Sequence, residues 1–278
     1  MSLFVLFKGQ DFSELMKRHA FLFLIFLALT SFSDSEPAEN GASYMATAVT
    51  NAPVNDIVPP AAISGEQFLR SLYREFPAGT FSWEAFKQAM IGRQQLSASV
   101  YLAKPDILTI VDFSKPSTQE RLFVIDVKEA KILFKSLVAH GRNTGENMAT
   151  RFSNLPESYQ SSLGFYKTAE TYTGSKGFSL RLDGLEKGIN CEARARGIVM
   201  HAADYVSKAF AQQHGRLGRS QGCPALPKEL NKPIINKIAN GSLLFIYAPD
   251  THYLKASRIL RNADIEVLFA KSNDKVTG

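Results

Sequence analysis

The stretch Gly197-Ile198-Val199-Met200-His201-Ala202, followed by Gly218-Arg219-Ser220-Gln221-Gly222-Cys223-Pro224, decides how this chain reads. A histidine ends an apolar strand-like run, and twenty-two residues later a cysteine follows glycine in a polar turn. A thiol is a useful nucleophile only as thiolate, and a neighbouring imidazole can take its proton. Glycine before the nucleophile removes a side chain, so the Gly222 and Cys223 amides can face a developing oxyanion. Ser220, three positions earlier, is placed to hydrogen-bond within the same turn. Cys223, His201, Gly222 and Ser220 are therefore the candidate catalytic group.

Around this pair the texture is that of strands. Short apolar runs cover Ile107–Phe113, Leu122–Val127, Ile132–Val138, Phe178–Leu182, Gly197–Met200 and Leu243–Tyr247. Helices are expected over Tyr205–Gln213 and Lys228–Ala239, the latter closed by Asn240-Gly241. Ahead of the strands, Ser64-Gly65-Glu66-Gln67 has the spacing of a capping box, and Phe68, Leu69, Leu72, Tyr73 and Phe76 keep a helical period. Pro77 and Gly79 stop that helix, and a second begins at Ser82 with Trp83, Phe86, Met90 and Ile91 on one face. The class is α+β: a mostly β catalytic domain over 105–278, preceded by a small helical segment over 63–104.

Residues 1–33 read as a secretory signal. Lys17 and Arg18 precede an apolar run from Ala20 to Leu29, and the small residues Thr30, Ser31 and Ser33 follow. That run is shorter than the ~20 residues that span a bilayer, so export to the periplasm or cell envelope is expected, without a stable membrane span. Retained anchoring is the competing reading. Residues 34–62, rich in Ser, Ala, Asn and Pro, read as a flexible linker.

Composition narrows the partners. Lys and Arg number 32 against 26 acidic residues, a net charge of +6 spread along the chain. A nucleic-acid binder would gather that charge into a patch, and no such cluster occurs. The only cysteines are Cys191 and Cys223, which excludes a disulfide scaffold and a CxxC zinc site. Two other readings of those residues stay open. One is a structural disulfide between the two cysteines. The other is zinc held by both cysteines with His201 and His214, although no two of these lie at a usual ligand spacing.

The Cys motif resembles that of the L,D-transpeptidases of bacterial peptidoglycan, which have the YkuD-type fold. In that family a histidine precedes a Ser-His-Gly-Cys turn by roughly twenty residues, and His201 with Ser220-Gln221-Gly222-Cys223 matches in order and spacing. Gln221 stands where the family has histidine, and Pro224-Ala225 where it has arginine or asparagine. Those departures resemble the murein L,D-transpeptidase catalytic domain family, whose motif reads Gly-Arg-Ser-x-Gly-Cys-Pro-Ala. The likeness runs over about 105–248. It includes Val138-Ala139-His140-Gly141-Arg142, Phe152-Ser153-Asn154, Ser161-Ser162-Leu163-Gly164-Phe165-Tyr166 and Leu185-Glu186-Lys187-Gly188-Ile189-Asn190.

The resemblance implies cysteine-dependent acyl transfer on peptidoglycan stem peptides, as donor and acceptor, with no cofactor. It also implies a backbone carbonyl near Ala202 orienting His201. Arg219, Gln221, Asn190 and Tyr172 are the candidate substrate-binding residues. For each a structural role competes: Arg219 as a loop pin, Asn190 as a cap for the turn, Tyr172 and Phe165 as core packing. His140 reads as a turn histidine bonded to backbone, with substrate contact as the alternative. Hydrolysis alone, as an L,D-carboxypeptidase or endopeptidase, shares the acyl-enzyme and is not separated by the motif. A non-catalytic wall-binding module is the rival from another class.

Overall fold

The computed structural model of the chain describes residues 63–269. The signal-peptide and linker expectations for 1–33 and 34–62 lie outside the described residues. Among those described, no helix is long and apolar enough to cross a membrane.

Two helices come first, α1 (Gly65–Arg74) and α2 (Trp83–Leu96). Ser64 caps α1 through the expected box: its hydroxyl accepts from the Gln67 N–H, and the Gln67 side chain accepts from the Ser64 N–H. Ser82 caps α2 by accepting from the Ala85 N–H. These caps satisfy amide donors that a helix start otherwise leaves orphaned. The strands follow as β1 (Ile107–Asp112), β2 (Leu122–Asp126), β3 (Lys131–Ser136), β4 (Gly164–Gly174), β5 (Gly177–Gly184) and β6 (Val199–Ala202). Then come α3 (Lys208–His214), β7 (Ala225–Leu226), α4 (Lys228–Ile238), β8 (Leu243–Tyr247), α5 (Thr251–Ala256) and α6 (Ile265–Phe269).

The eight strands form one sheet in the order β3-β2-β1-β8-β4-β5-β6-β7. β1 and β8 are buried at every residue, the mark of a strand covered on both faces. The covers come from opposite sides. Gly92 of α2 lies so close to the Phe165 ring that a Cβ there would sit 1.9 Å from a ring carbon. Thr168, of opposite parity on β4, donates its hydroxyl to the Ile238 carbonyl at the end of α4. Phe165 also stacks on Phe245 of β8 at 4.2 Å between centroids.

The helical segment is not a separate body. Phe81 stacks on Phe86 and meets Phe123 of β2 edge-on at 5.5 Å. All three are buried in the same core as β1 and β8, so packing does not break at 104–105. Aromatic burial of this kind contributes several kcal/mol per side chain, which ties the helices to the sheet.

The chain departs from its sequence reading at several elements, β6 among them, which runs over Val199–Ala202 rather than Gly197–Met200. β4 is an eleven-residue strand where only a motif was read. Its alternation is broken by a register shift between Thr168 and Thr171, which hides the period of two. Helix α3 begins at Lys208 rather than Tyr205, because the Ser207 hydroxyl accepts from the Phe210 N–H. The short helices α5 and α6 have too few residues to show a period.

Candidate active site

Register brings together the two segments that carry the reactive residues. β6 and β7 run parallel with His201 opposite Ala225, so the strand carrying the histidine lies beside the residues immediately after Cys223. The thiol then reaches back along β6. Cys223 Sγ accepts from the Val199 N–H at 3.4 Å and donates to the Gly197 carbonyl at 3.7 Å.

His201 is buried, and its Nδ1 lies 2.9 Å from the Ala202 carbonyl oxygen. A carbonyl only accepts, so Nδ1 carries the proton and Nε2 keeps its lone pair. The orienting backbone carbonyl expected at Ala202 is present, and no carboxylate is needed to fix the tautomer. Burial pushes the imidazole below its ordinary value of 6.5, and the positive charge of Lys176 lowers it further. Burial raises the Cys223 thiol above 9, opposed by the Val199 N–H and by the charges of Arg196 and Lys176. The resting pair is therefore a neutral thiol and a neutral imidazole.

The turn that carries the cysteine is held from both sides. Gly222 has φ +122°, and a Cβ there would fall 2.8 Å from the Gln160 carbonyl oxygen and 3.0 Å from the Ile198 side chain. Only glycine meets both demands. Ser220 staples the turn: its hydroxyl donates to the Cys223 carbonyl at 2.7 Å and accepts from the Gly222 N–H at 3.0 Å. This corrects the expected oxyanion donors. The Gly222 amide is taken by Ser220, whereas the Cys223 amide makes no hydrogen bond among the described residues. On the far side, Ser161 donates to the Gly222 carbonyl and accepts from the Gly141 N–H.

The four candidate substrate residues separate. Gln221 is exposed beside the thiol turn. Arg219 donates to the carbonyls of Arg142 and Gly145 and pairs with Glu146 at 2.6 Å, which makes it the pin of the 142–146 loop. Tyr172 lies under the Arg181 guanidinium, 4.5 Å from centroid to carbon, on the β4–β5 hairpin. It does not line the cavity at His201. Asn190 is fully buried. Its amide nitrogen donates to the Leu163 and Phe165 carbonyls, and its oxygen accepts from the Glu186 N–H. Those bonds leave it no reach toward a substrate, so its substrate-contact reading is corrected to a structural one. Asn190→Ala is expected to lower unfolding free energy by about 3 kcal/mol, because the buried Leu163 carbonyl and Glu186 N–H lose their partner, while the Phe165 carbonyl keeps the Leu185 N–H. Denaturant unfolding of the two proteins checks this.

His140 is likewise structural. Its Nδ1 accepts from the buried Arg121 guanidinium at 2.7 Å, leaving Nε2 to donate to the Gly145 carbonyl. Burial and the Arg121 charge push its pKa down to about 3. Its own carbonyl accepts from the Ser220 N–H, so this histidine anchors the thiol turn from behind.

Arg196 is a site residue that the sequence reading missed. It donates to the Ser153 and Gln160 carbonyls and the Ser158 and Ser162 hydroxyls, gathering the 153–162 loop against the thiol turn. Its one sequence signal is a cation directly before the Gly197–His201 run. Lys176, at the tip of the β4–β5 hairpin, was hidden because β4 was not read as a strand. Both cysteines are free, and exposed Cys191 bonds to Asn154, Gly188 and Glu192. Among the described residues no group of three or more His, Cys, Asp or Glu is placed to hold a metal ion.

A family model described as L,D-transpeptidase catalytic domain matches residues 78–247, well over half of the chain. Comparison with curated proteins gives no match. Among solved structures the chain is similar to an L,D-transpeptidase from Mycobacterium smegmatis. The identity is 12%, over 51% of this chain and 59% of that one, with a TM-score of 0.33. It is also similar to the helical cell shape determining protein Pgp2 (K307A mutant) from Campylobacter jejuni. There the identity is 13%, over 73% of this chain and 64% of that one, with a TM-score of 0.37. An L,D-transpeptidase (Yku) from Stackebrandtia nassauensis is 14% identical over 66% of this chain and 78% of that one, with a TM-score of 0.32. The chain spans 59% and 64% of the length of the first two.

Proposed function

Since the chain belongs to the L,D-transpeptidase catalytic domain family, we propose that it performs cysteine-dependent acyl transfer on peptidoglycan stem peptides. The observation that carries this reading is the β6–β7 register, which sets an oriented, proton-accepting His201 beside the Cys223 turn.

The reaction has two halves. In the first, His201 Nε2 takes the Cys223 thiol proton as sulfur attacks the carbonyl between the third (L-centre) and fourth (D-centre) residues. The Cys223 N–H stabilises the oxyanion, with the exposed Gln221 amide available as a second donor. The carbon–nitrogen bond then breaks, the leaving amine takes the proton from the His201 imidazolium, and a thioester remains on Cys223. In the second half an acceptor amine attacks the thioester, giving its proton to His201 and forming the cross-link. Cys223 leaves as thiol. Water in place of the amine would trim the stem, which is the hydrolytic alternative.

Mass spectrometry of muropeptides after incubation with the purified protein tests the reading. Cross-linked dimers are the expected products. Trimmed stems alone would assign hydrolysis, and an unchanged profile would sink the enzyme reading.

Cys191 has no part in these steps. Its exposed thiol contacts Asn154, Gly188 and Glu192, whereas Cys223 contacts Val199 and Gly197. Cys191→Ser is expected to keep activity within about twofold, as surface changes usually have small effects. A dead Cys191→Ser protein under both reducing and oxidising conditions would overturn the one-nucleophile account.

The substrate lies outside the cytoplasm, so the proposal includes export, supported by the basic-then-apolar order of residues 17–29. Cell fractionation that finds the mature chain in the cytosol would contradict this part.

A further inference from the structure

A cavity of about 300 Å³ opens on the His201 side of the site, where the β4–β5 hairpin tip faces the loop after β6. Its lining includes His201, Lys176, Tyr205, Asp204 and Lys228. The charges in it are not equivalent. Lys228 is paired with Asp204, whereas Lys176 is exposed and has no ion pair among the described residues. Arg196, the other cation felt at the thiol, has its guanidinium committed to two carbonyls and two hydroxyls. Lys176 is thus the cation beside His201 left for a ligand, and its charge is felt at both His201 and Cys223. Tyr205, another lining residue, has a hydroxyl that makes no hydrogen bond among the described residues.

The chemistry of the leaving group fixes what would sit there. The amine expelled when the thioester forms receives its proton from His201 Nε2, so it must lie against that ring. In a stem ending at its fourth residue, the carbon bearing that amine also bears a free α-carboxylate. An anion therefore comes to lie near His201, a residue that lines the cavity.

We propose that Lys176 binds this free α-carboxylate across the His201 cavity, which makes it a specificity-determining residue that selects donors ending at the expelled residue. This inference rests on the acyl-transfer reading above and names a determinant outside the Cys motif. A further residue on the stem would turn the carboxylate into a neutral amide and remove the attraction.

The test uses two probes on the full chain, with Lys176→Met and Lys176→Arg as variants. In the first, Cys223 is alkylated with anionic iodoacetate or neutral iodoacetamide, and the adduct is quantified on the peptide carrying Cys223. Both reagents meet the same thiolate fraction, so the rate ratio reads the local anion preference alone. The iodoacetate-to-iodoacetamide ratio is expected to fall about two- to fivefold in Lys176→Met, to survive in Lys176→Arg, and to shrink in the parent as salt is raised. In the second, kcat/KM is compared for a tetrapeptide donor with a free terminal carboxylate and its terminal amide. The preference for the free acid is expected to fall by the same factor in Lys176→Met. An unchanged reagent ratio, or donors that weaken together with the preference intact, overturns the proposal. A ratio that falls in a protein acylated by no stem donor upholds the anion subsite and overturns the reaction assigned above.

Discussion

Cys223→Ala is expected to remove acyl transfer, with kcat lowered by at least about a thousandfold, because a covalent nucleophile has no substitute in a two-half reaction. The fold should survive. Cys223 is only partly buried and sits in a turn held by Ser220, Ser161 and the β6–β7 pairing, none of which uses the thiol. The comparison that checks this is steady-state turnover beside thermal unfolding of the same preparation. A folded Cys223→Ala protein that still forms cross-links would remove the cysteine from the mechanism.

His201→Ala is expected to lower kcat/KM by about 10²–10⁴-fold, the range of a positioned general base. The pH profile carries a sign. The base works when unprotonated, and burial holds its pKa below 6.5. The acid limb of kcat/KM should therefore fall below pH 6.5 and vanish in His201→Ala. Because burial raises the Cys223 thiol above its ordinary value, alkylation by iodoacetamide should keep climbing as the pH rises through the alkaline range. Once the pH is high enough to ionise the thiol without the imidazole, the rate should remain within about twofold of the parent in His201→Ala. A parent acid limb well above pH 6.5 would contradict the buried neutral histidine.

The reactive pair and the bounds of β8 were legible in the sequence for identifiable reasons, whereas β6 lies two residues further along than its apolar run. β8 is an unbroken apolar run closed by Asn240-Gly241 ahead of it, and its observed bounds are the expected Leu243–Tyr247. β6 and the thiol turn are marked off by glycines and Pro224, so His201 and Cys223 stood out as a pair. What stayed hidden depends on distant partners or local hydrogen-bond choice. Arg196 acts through residues 34 to 43 positions away, and Asn190 through carbonyls 25 and 27 positions away. A motif that looked like a binding feature at Asn190 is a brace in the core. The Gly222 amide looked available because sequence does not say that Ser220 will rotate its hydroxyl onto it. β4 stayed unread because its bulge mixes the two faces of the strand, and with it went the hairpin that presents Lys176.

The most direct measurement of the central claim is the site and mass of the trapped intermediate. A tetrapeptide stem is mixed with the protein, the reaction is stopped in acid within the first turnovers, and the digested chain is mapped by mass spectrometry. The account predicts an adduct on the peptide bearing Cys223, with the mass of the donor less the free fourth amino acid, absent in Cys223→Ala and kept in Cys191→Ser. An adduct on Cys191, or product formation with no adduct on Cys223, would contradict it.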